Sequence, residues 1–352
     1  MIFDKVKYLV SLKSLLNFLL SFILAAIFLY IAFFDVDFSK VLEISSNANL
    51  FWVAVFITLN FLAHAIRAYR WKFILSSVKP QTKFKNLFGS LLVGYGVNCI
   101  TPKLGEVSRA VLLAKWEGLS RSSMFGTVIL ERIIDVFFLI ISVLIGIYIS
   151  SENIHQEFPW LMNAIYFAIL FITLMIIFVA LALYFKELFS RIIKNSVGKI
   201  SDKLADKIIY ILKMLIEGLI SLKGRKNQVV TLFLSLVIMI IYAITSYVGF
   251  LMIGLNDIQP ISFEMGWVVM SISTIGVVIP TPGSTGSYHT LAKSTLVFIY
   301  GFNETISAAY AFLTHIISYF LLIISALIVY FVLNKNKEPL SDFSKTHIED
   351  LK

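Results

Sequence analysis

Residues 15–34, LLNFLLSFILAAIFLYIAFF, carry no charged side chain over 20 consecutive positions, and residues 229–255 carry none over 27. At about 1.5 Å of rise per residue, such runs are long enough to cross the roughly 30 Å hydrocarbon core of a bilayer as helices. This constrains the fold more than any other feature, because backbone polar groups in lipid must be bonded within the protein. The chain is 59% hydrophobic and 14% charged, whereas a soluble domain carries about a quarter charged residues. It reads as an all-α polytopic membrane protein. The first run ends at Phe33-Phe34-Asp35 with no small-residue cleavage site, so it is read as a mature span rather than a signal peptide.

The net charge of +9 would suggest nucleic acid as a partner for a soluble chain, but here the basic residues lie between apolar runs. Lysine and arginine in short loops mark the cytoplasmic side, so membrane topology accounts for the charge and no nucleic-acid partner is expected. Segment 67–85, RAYRWKFILSSVKPQTKFK, holds six basic residues and no acid and is read as cytoplasmic, with Arg67, Arg70 and Trp71 as an interfacial anchor. Residues 35–43, with three acids, and 151–159, with two, are read as external loops. Both termini fall on the cytoplasmic side. The single cysteine, Cys99, excludes an intramolecular disulfide and a zinc site built on paired cysteines. No serine elbow, His-Glu-x-x-His, phosphate-binding loop or Asp-rich metal pair is present, so neither metal nor cofactor is expected.

Six full spans are expected, near residues 15–34, 50–66, 122–150, 160–185, 229–254 and 305–333. Two further apolar stretches, 87–101 and 265–279, are too short to cross and run into ITPKLGEVS and PTPGSTGSY, each with a Thr-Pro and a following glycine. The flanking charges are best satisfied if each enters and leaves by one face, as a re-entrant broken-helix hairpin. One such hairpin from each side suggests an inverted repeat. The chain then forms one membrane domain: a first half, 1–185; a connector, 186–227, with a helical apolar stripe from Ile193 to Leu219; a second half, 228–334; and a polar tail, 335–352.

Proline removes a backbone donor and glycine permits sharp turns, so Pro102 and Gly105 at the first break, and Pro282, Gly283 and Gly286 at the second, free peptide groups that protein or a wet cavity must satisfy. A half-helix starting after Gly105 or Gly286 could receive an anion at its N-terminus. The alternative is a structural hinge without a ligand. Glu106 and Arg109, Glu131, Arg132 and Asp135, and His289 and Lys293 are the remaining candidates, since charges within spans are costly and point to function. The Glu106–Arg109 and Glu131–Arg132–Asp135 sets could instead be structural ion pairs, while Lys293 could bind a lipid phosphate and His289 could titrate near neutral pH. His64 and His315 read as histidines satisfied within the bundle.

TPKLGEVSRAVLL (101–113), LERIIDVFFL (130–139), PTPGSTGSYH (280–289) and RAYRW (67–71) together resemble the lysylphosphatidylglycerol synthase transmembrane-domain family of flippase-like proteins. In that family's pattern the second break reads Pro-Gly-Gly-x-Gly-x-x-Glu. Here Pro282, Gly283 and Gly286 match, while Ser284 stands in place of a glycine and His289 in place of the acid. The resemblance implies a lipid transporter of the bacterial cytoplasmic membrane, moving an anionic phospholipid or polyprenyl-phosphate-linked intermediate through a central polar cavity. Arg109, Arg132 and Lys293 would then meet phosphate, and Glu106, Glu131 and Asp135 would orient them or bind a headgroup amine. The sequence ends soon after its last expected span, so no aminoacyl-transfer activity is expected. The alternatives are an integral-membrane enzyme on a lipid headgroup, with Glu106 or His289 as base, and an accessory subunit of an envelope transferase.

Overall fold

The computed structural model describes residues 12–150, 158–197 and 224–333, together with several positions between 199 and 222. The connector stripe beyond Val197, the loop 151–157 and the tail 335–352 lie outside or largely outside the described residues. All described regular structure is helical: α1 (Leu12–Phe33), α2 (Phe38–Ser46), α3 (Leu50–Ile74), α4 (Phe84–Ile100), α5 (Leu104–Glu117), α6 (Arg121–Ile149), α7 (Trp160–Tyr184), α8 (Lys186–Ser196), α9 (Arg225–Met252), α10 (Phe263–Val278), α11 (Ser287–Ser294) and α12 (Glu304–Leu333). Among these, α3, α9 and α12 are long and apolar enough to cross a membrane, and α1 with α2 makes up to a fourth across an 86° bend. The chain is thus a polytopic helical membrane protein.

Two expected boundaries move, each for a local reason. The segment expected as an external loop at 35–43 folds into α2, because the Asp37 carboxylate accepts from the Ser39 and Lys40 N–H groups at 3.1 and 3.3 Å and caps the helix. Val41 of α2 is then buried with Ala308 and Ala309 of α12. Helix α3 continues to Ile74 rather than ending near 66, so Arg67 and Arg70 lie within it, buried. They are not an interfacial anchor.

The chain forms two compact units. One comprises residues 1–62, 89–111 and 242–352, and the other 63–88 and 112–241. Within the first, α11 packs against α1, α10 and α12, and α2 lies along α12. Phe250, Leu255, Val269, Leu296 and Tyr310 form a buried cluster there. Within the second, α6 packs on α7, and α7 on α8.

The two short helices α4 and α10, of 17 and 16 residues, both end in a break and are followed by a helix that folds back. At the first, Lys103 adopts a φ of 64°, and a Cβ at Gly105 would overlap the Gly94 carbonyl oxygen, so α5 lies on α4 at a distance only glycine allows. The Gly105 N–H donates to Asn98 Oδ1 at 2.7 Å, and Asn98 Nδ2 to Glu106 at 3.2 Å. At the second, Ser287 Oγ donates to the Gly276 carbonyl at 2.7 Å.

The outer ends of each pair are also tied together. Glu117, at the end of α5, accepts from Asn86 Nδ2 (2.7 Å) and the Lys83 N–H (3.1 Å) before and within the start of α4, and pairs with Lys79 at 2.8 Å. Gln259 Nε2, ahead of α10, donates to the Tyr300 carbonyl beyond α11 at 3.0 Å. Burial by itself would raise the Glu117 pKa, but the hydrogen bonds from Lys79, Asn86 and Lys83 and the Lys79 charge outweigh it and hold the carboxyl below its usual range. A carboxylate with a lowered folded pKa stabilises the fold above its ordinary pKa, and that contribution is lost as pH falls through the folded value. Glu117→Gln should therefore cost about 1–3 kcal/mol near neutral pH. In thermal unfolding of the detergent-solubilised protein, its melting temperature should approach that of the parent as the medium is acidified.

Candidate functional site

The two breaks meet inside the first unit, on one face of α12. A Cβ at Gly283, whose φ is 54°, would stand 2.6 Å from the Tyr319 ring and 3.2 Å from the Cys99 backbone, so the second break passes closely over the end of α4. Tyr319 OH donates to the Cys99 carbonyl at 2.9 Å, and the His315 ring nitrogen Nε2 donates to the Gly283 carbonyl at 3.0 Å. His315 and Tyr319 are four apart and therefore neighbours on one helix face. Below them, Tyr288 OH and Thr314 Oγ1 are 2.9 Å apart, and Tyr310 OH lies 2.8 Å from Ser246 Oγ of α9. One carbonyl at each break, that of Cys99 and that of Gly283, is thus bonded by a side chain of the same helix.

The turn of the second break is held from inside. Ser284 N–H donates to the Thr281 carbonyl and Thr285 N–H to the Pro282 carbonyl, while Gly283, Ser284 and Gly286 all have positive φ. Gly286 is the N-cap of α11, and its N–H donates to His289 Nδ1 at 3.2 Å. The expected anion acceptor at this terminus therefore already has one amide engaged by His289. Lys293, 8% exposed, forms an ion pair with Glu304 at the start of α12. Pro102, Gly105, Glu106 and Arg109 sit at and after the first break, with Arg109 buried against Gly94 and Glu106 bonded to Asn98. Thr101, Pro102, Gly283, Ser284, Thr285 and Tyr288 are half-buried, so the junction is open in part.

The other three candidates lie in the second unit, in a buried charge cluster. Asp135 takes Arg70 Nη2 at 2.6 Å and Arg67 Nη1 at 2.7 Å; Glu131 takes the same groups at 3.2 and 3.4 Å. Arg132 reaches Glu131 at 3.1 Å and Asp135 at 3.2 Å, and Arg70 Nη1 donates to Ser235 of α9 at 2.8 Å. Beside it Trp71 Nε1 donates to Thr127. The side chains of Glu131, Arg70 and Arg67 are 0, 1 and 7% exposed, whereas Arg132 is 35% exposed. The expected Glu131–Arg132–Asp135 set is therefore real as a group, but its principal partners are Arg67 and Arg70.

His315, Tyr319, Arg67 and Arg70 hold more of the site than sequence pattern alone indicates. An H-x-x-x-Y pair and an R-x-x-R pair at helical spacing were the available signals.

A helical membrane protein with two proline- and glycine-broken helices meeting on a shared post, and a buried Arg–carboxylate cluster, is the class that the fold defines. The family model "Lysylphosphatidylglycerol synthase TM region" matches residues 18–326, and the chain belongs to that family. A UPF0104 membrane protein of Methanocaldococcus jannaschii is 31% identical over 42% of this chain and 44% of its own length. One from Methanothermobacter thermautotrophicus is 35% identical over 29% and 32%, and one from Pyrococcus horikoshii 21% identical over 80% and 87%. The chain thus spans less than half the length of the first two relatives it matches and most of the third. No solved structure matches.

Removing one partner from a buried ion pair leaves an uncompensated charge and costs about 3–5 kcal/mol, so Asp135→Asn should lower the melting temperature sharply. Arg132→Gln, at the exposed edge, should cost about 1 kcal/mol or less. Equal losses in thermal unfolding would refute this division of the cluster.

Proposed function

We propose that the protein is a lipid transporter, moving an anionic phospholipid or lipid-linked intermediate between leaflets, rather than an enzyme. The observation that carries this reading is the meeting of the two breaks on α12. Irregular backbone inside a membrane is tolerated where protein buries it or where it lines a wet cavity, and broken helices at such a meeting point are how many transporters build a substrate site. Family membership supports the same reading. The headgroup would enter at the half-buried junction of Thr101, Pro102, Gly283, Ser284 and Thr285 while the acyl chains stay in lipid.

The topology that accompanies this proposal counts α6 and α7 as spans, giving about six, with α4–α5 and α10–α11 as re-entrant hairpins of an inverted repeat. The ties of Glu117 to Lys79, Lys83 and Asn86, and of Gln259 to Tyr300, support it, since the outer ends of each hairpin are held side by side. Both termini would face the cytoplasm, in the cytoplasmic membrane. In a Cys99→Ala background, single cysteines at the exposed positions Lys83 and Ser120 should react with a membrane-impermeant maleimide from one face, and those at Asn256 and Asn303 from the other. Labelling of Lys83 and Ser120 from opposite faces would show that α4–α5 crosses the membrane.

The transport itself is tested in proteoliposomes with fluorescently labelled phosphatidylglycerol, a labelled polyprenyl phosphate, and phosphatidylcholine as the uncharged comparison. An anionic label should become accessible to a membrane-impermeant quencher faster than in protein-free vesicles. A side chain at Gly283 would overlap the Tyr319 ring and is strained at a φ of 54°, so Gly283→Leu, in protein that still folds, should slow this movement. Rates no faster than in protein-free vesicles for every anionic lipid would sink the proposal.

A further inference from the structure

The two imidazoles at the second break each carry a proton on Nε2 but engage the backbone through opposite nitrogens. A backbone N–H can only donate, so the bond from Gly286 makes His289 Nδ1 an acceptor and leaves its ring proton on Nε2. A carbonyl can only accept, so His315 carries its proton on Nε2, towards Gly283, and Nδ1 is the nitrogen able to take another. The ring centroids are 4.4 Å apart. His289 is buried, and His315 is partly exposed.

The two rings respond to a proton in opposite ways. On His289 it would have to enter at Nδ1, setting two donors face to face and forfeiting the bond that caps α11. On His315 it enters at Nδ1 and leaves the bond to Gly283 intact, now charge-assisted and stronger. At 4.4 Å a second positive charge on the pair is opposed by the first. We propose that the His289–His315 pair is a binding site for a single proton, taken up at His315 Nδ1, and that this proton fastens the Gly283 carbonyl and so couples movement of the break to proton uptake and release. The binding site stands on the geometry alone; the coupling rests on the transport reading above.

The surroundings suit an exchangeable proton. On α11, Tyr288 lies 6.0 Å from His289 and 5.8 Å from His315, while Lys293, one turn on, is occupied by Glu304. Helix α12 also presents Tyr319 at 5.6 Å from His315, and Tyr310, which is bonded to Ser246. Helix α1 presents Phe33 at 5.7 Å from His289, and its Tyr30 is exposed. On α10 the ionisable group is Glu264, in the first turn, and on α4 Cys99 lies beyond Tyr319. The segment Thr295–Ile299 has none. Among the described residues no carboxylate forms an ion pair with either ring. An imidazolium at 315 is therefore supported by a carbonyl dipole and two tyrosine rings, not locked in place by a counter-charge.

The test uses the full chain with nitrogen-15-labelled histidine in lipid nanodiscs, titrated by NMR over about pH 5 to 8, the range in which histidine ordinarily changes charge. Resonances are assigned with His289→Asn and His315→Gln. His315 Nδ1 should take up a proton while His289 keeps its Nε2–H form. A titrating His289, or a His315 that stays neutral throughout, would overturn the site. In proteoliposomes with an imposed pH gradient, one proton per lipid would shift the steady-state leaflet ratio by up to about tenfold per pH unit, and whatever transport His315→Gln retains should ignore the gradient. Parent transport that is indifferent to the gradient overturns the coupling and leaves the transporter reading standing. Absence of lipid movement at every pH, with His315 still titrating, overturns the transporter reading and the coupling together while the proton site survives.

Discussion

Peptide groups that leave a helix and are buried need a partner from the protein or from water, and the first unit depends on how that need is met. The released carbonyls of Cys99 and Gly283 belong to different breaks, 184 positions apart in the chain by their numbers, yet both are bonded from α12, by Tyr319 and His315. Those donors are one turn apart. A single helix face therefore sets the register of both breaks, and neither carbonyl can move without surrendering a bond to the same post. Tyr288, Thr314, Tyr310 and Ser246 continue the polar stripe further along α12. The apolar residues around it fix the helices, while the stripe fixes the breaks.

The second unit places its polar material differently. Glu131 and Asp135 are one turn apart on α6, and Arg67 and Arg70 are three residues apart on α3, so two carboxylates face two guanidiniums as a ladder. Arg132 adds a third guanidinium, giving the set a formal excess of one positive charge. Burying such groups is expensive, and a hydrophobic packing of equal volume is often as stable. What the cluster secures is pairing: α3, α6 and, through Ser235, α9 can meet in one register only, since any slip strands a charge.

Most of this was legible wherever the signal is local. Uncharged runs gave the helices, and Pro102, Gly105, Pro282 and Gly286 gave the breaks, because those residue types alter the backbone directly. Arg67 and Arg70 were misplaced because a basic run after an apolar one looks like a cytoplasmic anchor. Their carboxylate partners lie 61 to 68 residues away, beyond any local pattern. His315 was passed over for a related reason: its partner is a backbone carbonyl, which has no letter in the sequence. Helix α2 is legible only through its N-cap, Asp37, because the acids at 35–43 equally fit an external loop.

The departure at position 289 then takes on a physical meaning. In the pattern of the family the break ends Gly-x-x-Glu, which is the spacing of a capping box, where an acid three residues into a helix accepts the N–H of the capping residue. His289 Nδ1 does the same for Gly286. An imidazole at this position keeps the cap without a fixed negative charge, and its ring centroid lies 4.4 Å from that of His315. A carboxylate there would hold His315 as a cation through an ion pair. With histidine in its place the cap is neutral, and the charge state of His315 is left to the medium and to the position of the Gly283 carbonyl.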